Sequence, residues 1–219
     1  MFTPTSQERA KTFSDVVKHV NDSNFSLDAF TVASGSGILE VGTVMGQATL
    51  GSATSAVKAS GANTGNATMS AVTVLDGAVS GIYTVRMLTA TTFRVEKPNG
   101  DVIGDGATGT AFADDIGFTM TAGGTPMVAG DGFDVTVAPG SLKWKPHDPA
   151  AVDGSQVAAG VLGEAADATS ADVVALGVKW GAIVVLEELT FKSGISAPNR
   201  AAAIASLGAP SRMILARGT

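Results

Sequence analysis

The stretch over residues 143–191 constrains this chain most. Its centre reads Asp153-Gly-Ser-Gln-Val-Ala-Ala-Gly-Val-Leu-Gly-Glu-Ala-Ala-Asp-Ala-Thr169. A polar turn, Asp153-Gly154, delivers a run of small residues over 157–162, where Gly160 and then Gly163 stand in place of bulky side chains. Glycine inside a strand marks a sharp bend or the close approach of another backbone. Two further apolar runs follow, 173–178 and 182–186. The pattern predicts a compact β unit that packs tightly against a neighbour, with no side chains set out for chemistry.

Composition agrees with a folded, turn-rich chain. Of 219 residues, 27 are Gly and only 5% are aromatic, which favours many turns and closely spaced strands over a helical bundle. At 45% apolar residues the chain is long and hydrophobic enough to bury one large core or two small ones. The formal charge is −6 and no cluster of Lys and Arg occurs, so a nucleic-acid partner is not expected. The absence of Cys removes disulfides, thiolate nucleophiles and Cys-ligated zinc together. The most apolar region, 171–191, is interrupted by Lys179, Glu187 and Glu188 before it reaches membrane-spanning length, so no membrane partner is expected either. Residues 1–12 carry Glu8, Arg9 and Lys11 and no apolar targeting core, which predicts a soluble protein made in the cytoplasm.

Residues 1–12 read as a polar arm with Pro4, and Thr5 and Glu8 stand at capping-box spacing. Phe13, Val16, Val17 and Val20 follow at i, i+3, i+4, i+7, the spacing of a short amphipathic helix. Asn21-Asp22-Ser23-Asn24 ends it. A strand ending in Thr31-Val32-Ala33 and a turn at 34–37 lead to one continuous apolar run over 38–46. Residues 50–65, small and polar, read as a linker. From 66 to 138 short strands recur at 69–75, 81–88, 92–96, 111–112, 117–121 and 133–137. Pro98-Asn99-Gly100-Asp101 between two of them is a strong hairpin signal, because Asn-Gly accepts the positive φ of a tight turn. Tyr83, Val85 and Met87 alternate with polar neighbours, as do Phe93 and Val95, which predicts a small β-sandwich. Ser196-Ala197-Pro198 opens a C-terminal helix over 199–207 that Gly208 closes, and a last strand follows at 213–216.

Motifs for chemistry are sparse. Gly104-Asp-Gly106-Ala-Thr-Gly109 matches a dinucleotide fingerprint in letters, but no helix follows it, so it reads as a loop. Two histidines in unlike contexts, His19 and His147, make a triad or a His-rich metal site hard to assemble. Asp101, Asp105, Asp114, Asp115, Asp131 and Asp134 lack EF-hand spacing, and Asp beside Gly is usually a turn. The sequon matches at Asn21, Asn24 and Asn66 read as chance. No catalytic residue, cofactor or metal is expected, and the chain does not read as an enzyme.

The residues also carry a resemblance. Lys145-Pro146 followed by 150–162 and Ala166-Asp167-Ala168 is similar to the head decoration proteins of tailed bacteriophages, the lambda-type capsid-stabilising family. Other pieces agree in order: residues 31–46, Gly61 with Thr64-Gly65-Asn66, residues 81–84, 96–100, 121–124 and 129–133, and the ending over 201–217. The resemblance covers residues 25–217 and matches a long form with an inserted β domain. It implies a mainly β fold: a small decoration core with a short C-terminal helix, plus an inserted β-sandwich-like domain. The boundaries it implies are an N-terminal arm at 1–29, a core in two parts at 30–60 and 140–219, and the insertion at 61–139. It implies a homotrimer that binds the major capsid protein on the outer face of the expanded head, at local three-fold positions, and resists packaged-DNA pressure. The arm residues Thr3, Phe13, Val16, Val17 and Phe25 are the expected capsid contacts; Trp144, Val157, Gly160, Leu162 and Trp180 are expected in trimer or core packing. Where long members carry Ser-Arg-Asp or Ser-Arg-Glu, this chain has Ser26-Leu27-Asp28, which removes a charged contact. Two other readings stay open: a β-rich tail or fibre component, and a virion-surface module binding a host glycan through Tyr83, Trp144 and Trp180.

Overall fold

In the computed structural model, residues 10–218 are described. They form two compact units: unit 1 comprises residues up to Ala48 and from Leu142 onward, and unit 2 is Thr49–Ser141. The first segment holds a helical turn α1 (Phe13–Val16), β1 (Val17–Val20), α2 (Ser23–Ser26), β2 (Leu27–Val32), β3 (Gly37–Leu39) and β4 (Val44–Gln47). Unit 2 holds β5 (Leu50–Val57), β6 (Thr68–Met69), β7 (Thr73–Val74), β8 (Gly81–Met87), β9 (Thr92–Glu96), β10 (Val102–Ala107), β11 (Ala111–Ala113), β12 (Ile116–Thr121) and β13 (Gly132–Pro139). The last segment holds β14 (Trp144–Pro146), β15 (Ala158–Leu162), β16 (Ala166–Ala168), β17 (Val173–Val178), β18 (Ala182–Val185), α3 (Ala197–Leu207) and β19 (Ile214–Arg217). The protein is mainly β with one short C-terminal helix, as the pattern predicts.

Unit 1 is built on a closed barrel in the order β14-β2-β17-β15-β4, joined by a three-stranded sheet β1-β18-β19 and a small pair β16-β3. The three apolar runs at its heart fall where expected, as β15, β17 and β18. The run at 38–46 breaks into β3 and β4, because Gly42 turns the chain at φ +90° with the Glu188 carbonyl 2.5 Å from where a Cβ would stand. The helix expected from Phe13 to Val20 lasts one turn. The Asp15 carboxylate accepts from the Thr12 N–H and hydroxyl, and the valines then extend into β1, with Val17 opposite Val184 and Val20 opposite Ala182 on β18. β-branched residues satisfy a strand better than a helix once a partner edge exists. α3 starts as expected, with Ser196 accepting from the Asn199 N–H and Pro198 in the first turn.

Unit 2 is a sandwich of a five-stranded sheet, β10-β9-β8-β13-β5, and a four-stranded group in which β12 pairs β11, β6 and β7. The alternation in β8, β9 and β13 puts Tyr83, Val85, Met87, Phe93, Val95, Phe133 and Val135 inward against Ile116, Phe118 and Met120 of β12. The Lys97–Asp101 turn joins β9 to β10 with Gly100 at φ +88°, the hairpin that Asn-Gly specifies. Two stretches differ from the sequence reading. Residues 50–57, read as linker, form the edge strand β5 along β13. Gly104 and Gly106, read as loop, lie in β10, where the rings of Phe112 and Phe93 occupy the space side chains would need.

Candidate functional site

Unit 1 carries an open groove of about 540 Å³. It begins at α2. Asp22 caps that turn by accepting from the Asn24 N–H, and Ser26, fully buried, donates its hydroxyl to the Gly181 carbonyl. The N–H groups of Lys179 and Trp180 bond in return to the Ser26 carbonyl. This stitching leaves Phe25 no inward direction, and it stands 73% exposed at the groove. Leu27, Asp28, Gln47, Lys179, Trp180 and Arg212 are among the residues that line it, with Trp144 at its floor. Asp28 pairs with Lys179 at 2.8 Å, which holds its carboxyl below the usual range.

The floor is aromatic. Trp144, 5% exposed, stacks face to face on the buried Phe30, with centroids 3.6 Å apart and planes 7° apart. Phe30 in turn fills the gaps left by two glycines: a Cβ at Gly177 would stand 2.3 Å from its ring, and one at Gly160 2.7 Å. The close neighbour predicted for the glycine-punctuated strand is therefore a ring of the same chain. Gly160 and Leu162 are buried inside the subunit, so neither offers a trimer surface; Val157 is exposed and Trp180 half-buried.

The arm residues separate in the same way. Phe25 is on the surface, but Val16 and Val17 belong to the core formed with Val161, Val178, Val184 and Leu207. Phe13 packs partly onto that core and over Gly163. Capsid contact through Val16 and Val17 is thus corrected to internal packing: Val16, at the end of α1, and Val17, opposite Val184 of β18, are both buried in this core. Thr3, like the capping pair Thr5 and Glu8, lies outside the described residues. Of the three aromatic platforms for a glycan, Tyr83 is fully buried and Trp144 nearly so, which leaves only Trp180.

Elsewhere the aspartates have internal partners. Asp131 is the most enclosed of the aspartates named above. It accepts from the N–H groups of Gly65, Thr64 and Val128, with Lys58 at 3.7 Å, and its pKa is lowered to about 2. Asp105 pairs with Arg94, Asp134 with Arg86, and Asp115 with Lys97. Among the described residues no cluster has the make-up of a metal site, and no helix is long and apolar enough to cross a membrane. His147 is buried with its Nε2 at 3.0 Å from the Gln156 carbonyl, and burial pushes its pKa down.

The family model of the bacteriophage lambda head decoration protein D matches residues 6–211, nearly the whole chain. This chain belongs to the phage head decoration family. No curated protein matches the sequence. Among solved structures it is similar to the flagellar protein FlgL of Xanthomonas campestris, at 17% identity and a TM-score of 0.34 over 45% of this chain and 33% of that one. It is also similar to the hook junction protein FlgK of Burkholderia pseudomallei, at 21% identity and 0.33 over 61% and 23%. The chain spans about a third or less of these flagellar proteins, and likenesses of this size carry no argument.

As a head decoration protein, the molecule is a structural component of the phage capsid. Leu27, which stands where the resemblance described above has Arg, and the adjacent Asp28 both line the groove. Sequence reasoning named Phe25 as a capsid contact and Trp144 and Trp180 as packing residues, and gave no role to Lys179, Gln47 and Arg212. The missing signal is a tertiary one: Gly181, at φ +56°, turns Lys179-Trp180 back onto α2.

Proposed function

We propose that this decoration protein acts as capsid cement: a homotrimer that sits on the outer face of the expanded head at local three-fold positions, bridges copies of the major capsid protein, and stabilises the shell against packaged DNA. The observation that carries this reading, beyond family membership, is the exposed Phe25 at the groove, held rigid by the Ser26–Gly181 bonding. A large aromatic fixed on the surface is the residue type that anchors protein interfaces, where a few such groups supply most of the affinity. A closed three-fold trimer sets three such anchors against three equivalent receptor sites, so modest contacts combine through effective concentration. The residues before Phe13 act as an arm that adds main-chain hydrogen bonds to a capsid-protein sheet edge.

Light scattering of the free protein, followed by binding to expanded and unexpanded heads, tests this. The expected result is a closed trimer that binds expanded heads and raises the temperature at which they break open. Open filaments in solution, or no binding to expanded heads, would overturn it.

A further inference from the structure

The two edges of the five-stranded sheet in unit 2 are treated differently. On one side β10 carries a bulge between Val102 and Gly104 and an Asp105 carboxylate clamped by Arg94. A bulge and a charge are the usual means of keeping another strand away. On the other side β5 confines its register shift to its start, between Leu50 and Ala53, and is regular from Ala53 to Val57 with no charge on it. Residues 49–57 read Thr-Leu-Gly-Ser-Ala-Thr-Ser-Ala-Val, without a charge or a proline, and Thr54 to Val57 are exposed. Among the described residues β5 hydrogen-bonds with one strand, β13; β7 of the other sheet lies near β5 but pairs with β12.

The register says which groups are free. Lys58 donates its N–H to the Gly132 carbonyl, at the end of the β5–β13 ladder where Val57 faces Phe133. Since antiparallel bonding alternates every second residue, Ala56 and Thr54 also turn their backbone groups toward β13. Ala53, Ser55 and Val57 therefore turn theirs to the open edge. Three such residues in a row, spaced by two and centred on Ser55, form a pattern that is its own complement under a two-fold rotation.

We propose that this edge is a homotypic contact: β5 pairs antiparallel with β5 of a second copy of the chain, joining two decoration proteins through their inserted units. Centred on Ser55, the pairing exchanges about six N–H···O=C bonds, Ala53 with Val57 and Ser55 with itself. The charge pattern selects the occupant. The chain carries a net −6, so most surfaces of two copies repel, whereas this edge is neutral and its side chains are small enough for close approach. An acidic or basic peptide gains nothing from an uncharged edge, while a second copy loses nothing. One strand pair is far smaller than a stable standard interface. It takes effect where copies are already held side by side and their effective concentration is high.

The test uses the full chain in sedimentation velocity over a wide range of concentration. Wild type is expected to self-associate at high concentration beyond the species seen at low concentration. Ser55→Pro removes an outward N–H without touching the β13 ladder, and is expected to weaken this step by at least about tenfold. Thr54→Lys with Ala56→Lys, which places like charges opposite one another across the two-fold, is expected to do the same, more strongly at low salt. The second variant keeps the test valid should the proline disturb folding, and circular dichroism checks both. Undiminished self-association in a folded variant, or no concentration-dependent step in wild type, overturns the proposal. Loss of the low-concentration oligomer alone would count against the trimer proposed above and not against this edge.

Discussion

The two units solve the same packing problem and place different side chains at the surface. Both are glycine-rich and both use aromatic rings to fill what the glycines leave open: Phe30 over Gly160 and Gly177 in unit 1, Phe93 and Phe112 over Gly106 and Gly104 in unit 2. Outside, they diverge. Unit 1 leaves large apolar side chains in solvent, among them Phe25, Ile38, Leu142 and Val174, with Leu142 in a left-handed conformation that non-glycine residues seldom adopt. Unit 2 covers the outer face of its larger sheet with cross-strand ion pairs, Arg86 with Asp134 and Arg94 with Asp105. Unit 2 exposes aliphatic side chains too, among them Ile82 and Val102, but the large exposed aromatic ring, Phe25, stands on unit 1, and docking is assigned there.

The largest expected effect lies in the ring that unit 1 depends on. Phe30→Ala removes the stack on Trp144 and empties the space beside two glycines, and is expected to cost about 3–5 kcal/mol of unit 1 stability in urea unfolding. A loss below about 1 kcal/mol would mean that the glycines serve something other than this ring.

Next comes the buried carboxylate of unit 2. Asp131 has a folded pKa of about 2, below its unfolded value of roughly 3.9, because the N–H groups of Gly65, Thr64 and Val128 favour its charged form. Its stabilisation is therefore complete above pH 4 and is lost as pH falls through about 2. Asp131→Asn should be the less stable protein at neutral pH, with the gap to wild type closing as pH falls from 4 toward 2. A gap independent of pH would show that shape, not charge, holds the 58–65 loop.

The smallest effect is expected at His147, back in unit 1. The Nε2 bond to Gln156 leaves Nδ1 as a bare acceptor, buried and without a partner. The groups around it are already committed: Asp148 to Lys192, and Asp153 to Lys145. Protonation would bury an unanswered donor, so the folded pKa lies below the unfolded 6.5. The associated stability is present above that value and declines as pH falls below it. His147→Gln keeps a donor for Gln156 but does not titrate, and should flatten the pH dependence of the urea midpoint between pH 7.5 and 5.5. An unchanged slope would assign that dependence to other groups.

How much of this was legible in the sequence follows the range of the interactions. Alternation in Tyr83-Thr84-Val85-Arg86-Met87 and the turn at Asn99-Gly100 are local signals, and both led to the observed strands and hairpin. β5 and β10 were missed because they are rich in Gly and Ala, with Asp105 in β10, which have low strand propensity, and pairing with β13 and β9 overrides it. Val16 and Val17 have a spacing that suits a helix face as well as a turn followed by a strand, and only the edge of β18 decides between them. Glycines at 160 and 163 signalled a close neighbour correctly, but a single sequence does not say which ring supplies it. Phe25 was expected at the surface only as an arm residue implied by the resemblance; the groove beside it depends on Gly181 folding Lys179-Trp180 onto α2, which leaves no local trace.

The most direct test of the docking assignment is the binding of Phe25→Ala to expanded heads, measured by co-sedimentation against wild type. Because Phe25 is exposed and bears no core contact, its stability and oligomeric state should match wild type, within about 0.5 kcal/mol in urea unfolding. Retention on heads should nonetheless fall by at least about tenfold, since an aromatic anchor is lost from every subunit. Full retention by a folded Phe25→Ala protein would contradict the assignment of docking to this groove.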